Sequence, residues 1–229
     1  MLSERNLVAC INSAIEATDF SENDVIMSVL PMHHTYELAC TIAATTLGAS
    51  VGINDNLKYI LKNLKIFKPT GLVLVPLFVS TFDKKIREEV KKKGKEKQLK
   101  VGMITSNALR RVGVDVREKL FSEVLSAFGG NLKKIICGGA AMDASLTKTF
   151  DSFGVTLCEG YGITECAPLV AVNSHYKRKI GSVGPAVDCC TVRIHAPKED
   201  AQGRMTGEIH VKGENVMLGY YDNIEANLN

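Results

Sequence analysis

The residues most capable of chemistry lie in one short segment, residues 159–165, with the sequence Glu-Gly-Tyr-Gly-Ile-Thr-Glu. The carboxylate of Glu165 can bind a hard cation, the hydroxyl of Thr164 can bind a phosphate oxygen, and the ring of Tyr161 can stack on a flat base. The segment follows a short, mostly apolar run, Val155–Cys158, that predicts a buried strand. A tight turn with a surface acid would have the same composition, so the segment alone supports two interpretations.

Two further polar clusters directly follow predicted strands. A pair of histidines at 33–34 follows the run 25–30, and a Gly-Gly-Ala run at 138–140 follows the run 132–137. Parallel strands end at the same edge of a sheet, which is where open α/β sheets bind ligands. The three clusters therefore predict one composite pocket, in which glycines leave the backbone open to a planar ligand. A strand-to-helix turn would also use the two glycines.

The scaffold for these clusters is predicted by alternation along the chain. Over residues 1–180, short apolar runs alternate with amphipathic helical periodicity, a pattern typical of an α/β fold whose parallel sheet is covered by helices. Beyond that, the short alternating runs Val192–His195 and Glu208–Val211 are separated by Gly and Pro. We therefore predict an α/β core over 1–180 and the start of a β-rich subdomain over 181–229.

Several helix boundaries follow from single residues. Pro76 suits the first turn of a helix, and Asp143 suits the cap of a helix that runs to about residue 153. Periodicity also predicts one helix over 36–47 and one that is marked by apolar residues from 116 to 125 and ends at Gly129-Gly130. No closing helix is predicted before the last residue.

Composition excludes several classes of function. A net charge of +3 is too small to indicate a nucleic-acid partner, and the chain has no apolar run long enough to span a membrane. Peripheral contact with a membrane stays open.

The seven cysteines form no C-x-x-C pair, so neither a zinc site nor a disulfide framework is predicted. Reduced cysteines favour a cytoplasmic location. The lysine-rich run at 91–97 predicts a solvated loop or helix end.

Taken in order, the motifs resemble those of the adenylate-forming enzymes, the superfamily of acyl-CoA synthetases, peptide-synthetase adenylation domains and beetle luciferases. The resemblance covers nearly the whole chain and is closer to the long-chain fatty acyl-CoA synthetases, which have a similar lysine-rich insertion between residues 76 and 129. The matching motifs are Leu30–His34, Cys137–Ala141, Glu159–Glu165, Gly181–Gly184, Gly207–Ile209 with Gly213, and Gly219-Tyr220.

The resemblance implies a reaction in which a fatty acid is joined to AMP from ATP and is then transferred to coenzyme A, with Mg²⁺ as cofactor. Tyr161 would stack on adenine, Thr164 would bind the α-phosphate and Glu165 would ligate Mg²⁺. His34 would lie at the entrance of the acyl pocket, in preference to His33. The residues implied to lie beside the nucleotide are Gly138, Gly139, Ala140, Glu159, Gly160 and Gly162.

Other residues are given a weaker assignment. Val75, Pro76 and Leu77 could line the acyl site, although an apolar strand end is more often plain core. The histidines at positions 175, 195 and 210 are interpreted as ordinary histidines.

Parts of the machinery implied by the resemblance have no counterpart in the sequence. The lysine-bearing loop that binds the β- and γ-phosphates would lie before Leu2, and the ribose-binding aspartate would come after Asp222. The C-terminal domain with its lysine would follow. We therefore expect an internal piece of an enzyme that needs the rest of that enzyme and is inactive alone.

Two alternatives remain open. The chain could belong to an adenylation domain that loads a carrier protein instead of coenzyme A. It could also be a nucleotide-binding module without catalytic activity, although an intact Thr164 and Glu165 argue against a degenerate site.

Overall fold

The structure is a computed structural model that describes residues 1–174 and 177–228. Its strands form two separate sheets, of six strands and two strands. The strands are β1 (Val25–Ser28), β2 (Ser50–Ile53), β3 (Gly71–Leu74), β4 (Lys134–Cys137), β5 (Thr156–Gly162), β6 (Leu169–Val172), β7 (Cys190–Glu199) and β8 (Met205–Gly213).

Helices connect and cover these strands. Within the described ranges, none of them is long and apolar enough to cross a membrane. Short 3-10 turns occur at Leu57–Tyr59 and Thr164–Cys166. The helices are α1 (Glu4–Thr18), α2 (Thr35–Thr46), α3 (Ile60–Phe67), α4 (Pro76–Lys92), α5 (Glu96–Arg111), α6 (Arg117–Leu120), α7 (Ser122–Ser126), α8 (Ala144–Phe153) and α9 (Ile224–Leu228).

The large sheet has the strand order β2-β1-β3-β4-β5-β6. All neighbouring strands from β2 to β5 pair in parallel, which confirms the predicted α/β fold. The sixth strand, β6, was not predicted and pairs with β5 in antiparallel orientation. Only Ile163, the 3-10 turn and two further residues separate it from the end of β5, and a parallel return would need a helix-length crossover.

Both faces of the large sheet are buried. Leu72 and Leu74 of β3 belong to the main core cluster, which also contains Phe82 of α4 and Phe150 of α8. Val73 points to the other face and packs in a second cluster with residues of β1 and α2. Burial on both faces explains why these strands read as continuous apolar runs in the sequence.

Helix predictions were mostly confirmed. Pro76 is the first residue of α4, and the Asp143 carboxylate caps α8 by accepting from the Ser145 amide at 2.8 Å. The prediction of a single helix from about 116 to Gly129-Gly130 was wrong, because the chain forms α6 and α7 with a break at Phe121. There the Phe121 ring turns into the core, with its centroid 5.2 Å from that of Phe153. Helix α5 was not predicted.

The C-terminal part contains an antiparallel hairpin, β7–β8, as the alternating runs predicted. The prediction that no helix closes the chain was wrong, since α9 forms after residue 223. The proposed domain boundary near residue 181 stays a prediction. The lysine-rich run at 91–97 lies exposed where α4 ends and α5 begins, in agreement with a solvated helix end.

Two adjacent glycines allow a controlled test of the packing. Gly129 and Gly130 both have φ +90°, but a Cβ at Gly129 would collide with the carbonyl oxygen of Leu64, whereas a Cβ at Gly130 meets nothing within 4 Å. We expect Gly130→Ala to lower the free energy of unfolding by about 1 kcal/mol through backbone strain. Gly129→Ala should cost at least about 2 kcal/mol more, because backbone must move. Urea unfolding followed by circular dichroism measures both, and equal losses would contradict this packing.

Candidate functional site

An open cleft of about 550 Å³ lies at the carboxyl edge of the large sheet. The ends of β1, β3, β4 and β5 form its floor, and the first turns of α2 and α4 form part of its wall. All three predicted polar clusters contribute to it. The predicted site residues that line the cleft are His34, Gly138, Gly139, Gly160, Tyr161, Gly162 and Thr164.

Three predicted site residues lie outside the cleft lining: Ala140, Glu159 and Glu165. Ala140 is exposed beyond the end of β4. Glu159 is only 7% exposed, and its carboxylate accepts a hydrogen bond from Thr147 of α8 at 3.1 Å. The side chain of Glu159 therefore ties β5 to α8, away from the space where a nucleotide could lie.

The glycines of the cleft serve two different purposes. Residues 159–162 are the last four residues of β5, so the strand predicted over 155–158 extends four residues further than expected. A Cβ at Gly162 would collide with the carbonyl oxygen of Pro168, so the fold itself requires glycine there. A Cβ at Gly138 would lie 3.4 Å from the carbonyl oxygen of Gly160, which the backbone could accept with little movement. Glycine at 138 thus leaves room on the cleft floor that the fold does not need.

Thr164 and Glu165 begin the 3-10 turn that follows β5. Thr164 is exposed to the cleft, and Glu165 accepts a hydrogen bond from the Tyr220 hydroxyl at 2.8 Å. That hydrogen bond holds the pKa of the Glu165 carboxyl below its usual value, so the group is ionised at neutral pH. The main chain is tied as well, since the Met217 amide donates to the Glu165 carbonyl at 2.8 Å.

The surroundings of Glu165 decide whether a magnesium ion fits there. The part of the chain that the structure describes has no group of three or more His, Cys, Asp or Glu side chains that could hold a metal alone. Mg²⁺ commonly takes one or two carboxylates and completes its shell with water and phosphate oxygens. An ionised Glu165 with one oxygen engaged by Tyr220 fits such a site.

The two adjacent histidines lie in different surroundings. His34 directly precedes α2 and lines the cleft, while its amide donates to the Pro31 carbonyl at 3.0 Å. His33 is exposed and contacts His34, with ring centroids 4.5 Å apart. Of the histidines interpreted as ordinary, His195 and His210 stack on each other in the hairpin, and His175 lies outside the described residues.

Two aromatic residues of the cleft were missed by sequence reasoning. Tyr36, in the first turn of α2, donates from its hydroxyl to the Ile136 carbonyl at 3.2 Å and also faces Leu74, and burial raises its pKa well above the usual value. Its ring lines both the cleft and a smaller apolar cavity of about 60 Å³. Phe78 lies in the first turn of α4. The sequence carried one signal for both residues, since each is an aromatic residue in the first turn of a helix that follows a predicted strand.

The interpretation of residues 75–77 needs one correction. Val75 lines the cleft, but Leu77 points away from it and is 72% exposed. Phe78 lines the cleft where Pro76 and Leu77 were expected to do so, because the position after Leu77 in α4 faces the sheet.

Comparison with known proteins finds relatives that match nearly the whole chain. The chain is 27% identical over 241 residues to human long-chain-fatty-acid–CoA ligase 1, covering 96% of this chain and 33% of the relative. It is 29% identical over 240 residues to long-chain-fatty-acid–CoA ligase FadD15 of Mycobacterium bovis, covering 98% of this chain and 38% of the relative. The chain thus spans about a third of the length of these curated relatives.

Solved structures show the same fold at lower identity. The long-chain-fatty-acid–CoA ligase FadD1 of Archaeoglobus fulgidus superposes with a TM-score of 0.69 at 19% identity, covering 100% of this chain and 42% of that one. ATP-bound MatB of Rhodopseudomonas palustris superposes with a TM-score of 0.66 at 22% identity, covering 98% and 38%. The profile of the AMP-binding enzymes matches residues 1–221, and the chain therefore belongs to the AMP-binding enzyme family.

Proposed function

We propose that this chain forms the adenylate-binding part of an ATP-dependent acid–thiol ligase. The enzyme would join a carboxylic acid to AMP, release pyrophosphate and transfer the acyl group to coenzyme A. The observation that carries the proposal is the convergence of His34, Gly138, Tyr161 and Thr164 on one cleft at the carboxyl edge of the sheet.

The nucleotide half of the cleft is built from β4 and β5. The backbone at Gly138 and Gly139 leaves space for a flat adenine, and Tyr161 provides a ring on which the base can stack. Thr164, at the start of the next turn, supplies a hydroxyl for the α-phosphate. The acid would attack that phosphate in line from the side of His34, so the cleft contributes mainly orientation.

The acyl half of the cleft is apolar. Tyr36, Val75, Phe78 and Leu169 line it, and none of them carries a charge. Such a surface suits a hydrocarbon chain better than a polar or charged acid. Together with the two curated relatives, which are named as long-chain fatty acid ligases, this supports a fatty acid as substrate.

The acceptor is proposed to be coenzyme A, as the names of these relatives suggest. A carrier-protein thiol is the alternative. An assay on the enzyme that contains this chain, with coenzyme A and a holo-carrier protein as competing acceptors, distinguishes the two.

Binding of a non-hydrolysable acyl-adenylate analogue tests the proposed function. The analogue should bind this chain more tightly than AMP, because its acyl chain fills the apolar half of the cleft. Tyr161→Ala should weaken AMP binding by roughly 5-fold to 100-fold, the range expected for loss of one base–aromatic stack. Isothermal titration calorimetry measures both affinities.

The matched control is Tyr221→Ala, since Tyr221 is 83% exposed and lies outside the cleft. The control should bind AMP like the unchanged protein. Equal affinity for AMP and the analogue would favour a simple nucleotide-binding module. An unaltered AMP affinity in a folded Tyr161→Ala protein would contradict the stacking assignment.

The role of Glu165 makes a separate prediction. We expect Mg²⁺ to strengthen ATP binding in the unchanged protein and to have about tenfold less effect in Glu165→Gln, because the variant lacks the anionic ligand. AMP binding measured with a chelator present should stay the same in both proteins. Loss of AMP binding in Glu165→Gln would instead indicate a structural role through the hydrogen bond to Tyr220.

The isolated chain should not catalyse exchange of pyrophosphate into ATP. No Lys or Arg is among the described residues that line the cleft, so nothing there neutralises the triphosphate. Loss of one donor to a developing charge can cost roughly 10²–10³ in rate. Measurable exchange by the purified chain with ATP, Mg²⁺ and a fatty acid would overturn this expectation.

A further inference from the structure

Charge is distributed very unevenly along this chain. Residues 84–111 contain 11 Lys and Arg but only 3 Asp and Glu, a formal charge of +8. Since the whole chain carries +3, the remaining residues carry −5. The basic segment comprises the second half of α4, the turn after it and all of α5, outside the cleft described above.

The outward face of α5 combines this charge with exposed apolar side chains. Val101 is 61% exposed and Ile104 is 63% exposed. Lys97, Lys100 and Arg111 are also exposed. Because Lys97, Lys100, Val101 and Ile104 are related by steps of three or four residues, and Arg111 lies seven residues (two turns) after Ile104, these positions share one face. The face therefore presents two branched apolar side chains bordered by three cations.

The inward face of α5 fixes this orientation. Leu99 and Met103 pack against the main core cluster, and Gly102 and Ser106 are buried. A Cβ at Gly102 would lie 3.6 Å from the ring of Phe121, so the helix sits close to its neighbour. Rotation of α5 to hide Val101 and Ile104 would expose this packed side.

The cations on the outward face are not neutralised within the fold. In the turn before α5, Lys93 and Lys95 both pair with Glu123. By contrast, the salt bridges among the described residues include none from Lys97, Lys100 or Arg111. Their charge is available to an external anionic surface.

We propose that the outward face of α5 is a contact surface for an anionic lipid bilayer. Val101 and Ile104 enter the boundary between headgroups and acyl chains, and Lys97, Lys100 and Arg111 extend to the lipid phosphates. Each basic side chain near an anionic membrane adds to the affinity. A nucleic acid would use the same cations but would gain nothing from Val101 and Ile104. This surface does not depend on the proposed function of the cleft.

Vesicle co-sedimentation of the whole chain tests the proposal. We expect binding to phosphatidylcholine vesicles that contain phosphatidylserine, little binding to pure phosphatidylcholine, and release at high salt. Val101→Ser/Ile104→Ser should weaken binding about 10-fold through lost apolar contact. Lys97→Gln/Lys100→Gln should weaken it about 20-fold. All four side chains are exposed, so the variants should keep the circular dichroism of the unchanged protein.

Matched controls make the same chemical changes elsewhere. Val8→Ser changes an exposed helical position in α1, and Lys198→Gln/Lys212→Gln removes two exposed cations from the hairpin. Both controls should bind vesicles like the unchanged protein.

Three results would overturn the proposal. Equal binding to neutral and anionic vesicles would show that the charge is not used. Unaltered vesicle binding by Val101→Ser/Ile104→Ser would indicate a purely electrostatic surface, such as one for nucleic acid. If the unchanged protein dimerises without lipid and Val101→Ser/Ile104→Ser abolishes the dimer, the face would instead bind a second copy of the chain.

Discussion

Parallel pairing of β1, β3, β4 and β5 determines where the cleft of this protein lies. Parallel neighbours must be joined by crossovers, so every strand of the set ends, and the following helix begins, at the same edge. The register of β4 with β5 runs from Lys134 opposite Thr156 to Cys137 opposite Glu159, which brings Gly138 next to Gly160. The starts of α2 and α4 deliver His34 and Phe78 to the same edge. The cleft follows from this arrangement.

Residues 159–164 serve the fold and the cleft at once. Glu159 turns inward to Thr147, Gly162 lets β6 return close to β5, and Tyr161 and Thr164 face the open space. Simple alternation does not explain this division, because Glu159 and Tyr161 are two residues apart. Glu159 pairs with Cys137 of β4, whereas Tyr161 pairs with Ala171 of β6 beside a register shift. A substitution in this segment can therefore remove a structural contact, as at Glu159, or change the lining of the cleft, as at Tyr161.

Glu165 connects the cleft to the C-terminal part of the chain. Its carboxylate is held by Tyr220, and its carbonyl by the Met217 amide. This C-terminal segment is itself anchored to α1, because the Asn6 side chain donates to the carbonyls of Glu214 and Val216. The position of the candidate metal ligand thus depends on residues more than two hundred positions apart in sequence.

The sequence by itself determined the α/β class and the sheet edge at which the polar clusters meet, because apolar periodicity and strand-ending glycines are local signals. Tertiary structure alone decided that β6 returns antiparallel, that Glu159 faces Thr147, and that Tyr36 enters the cleft. It also decided which side chains of α5 face outward. These outcomes depend on packing between elements far apart in the chain. A local sequence pattern does not specify which of these distant residues a side chain will contact.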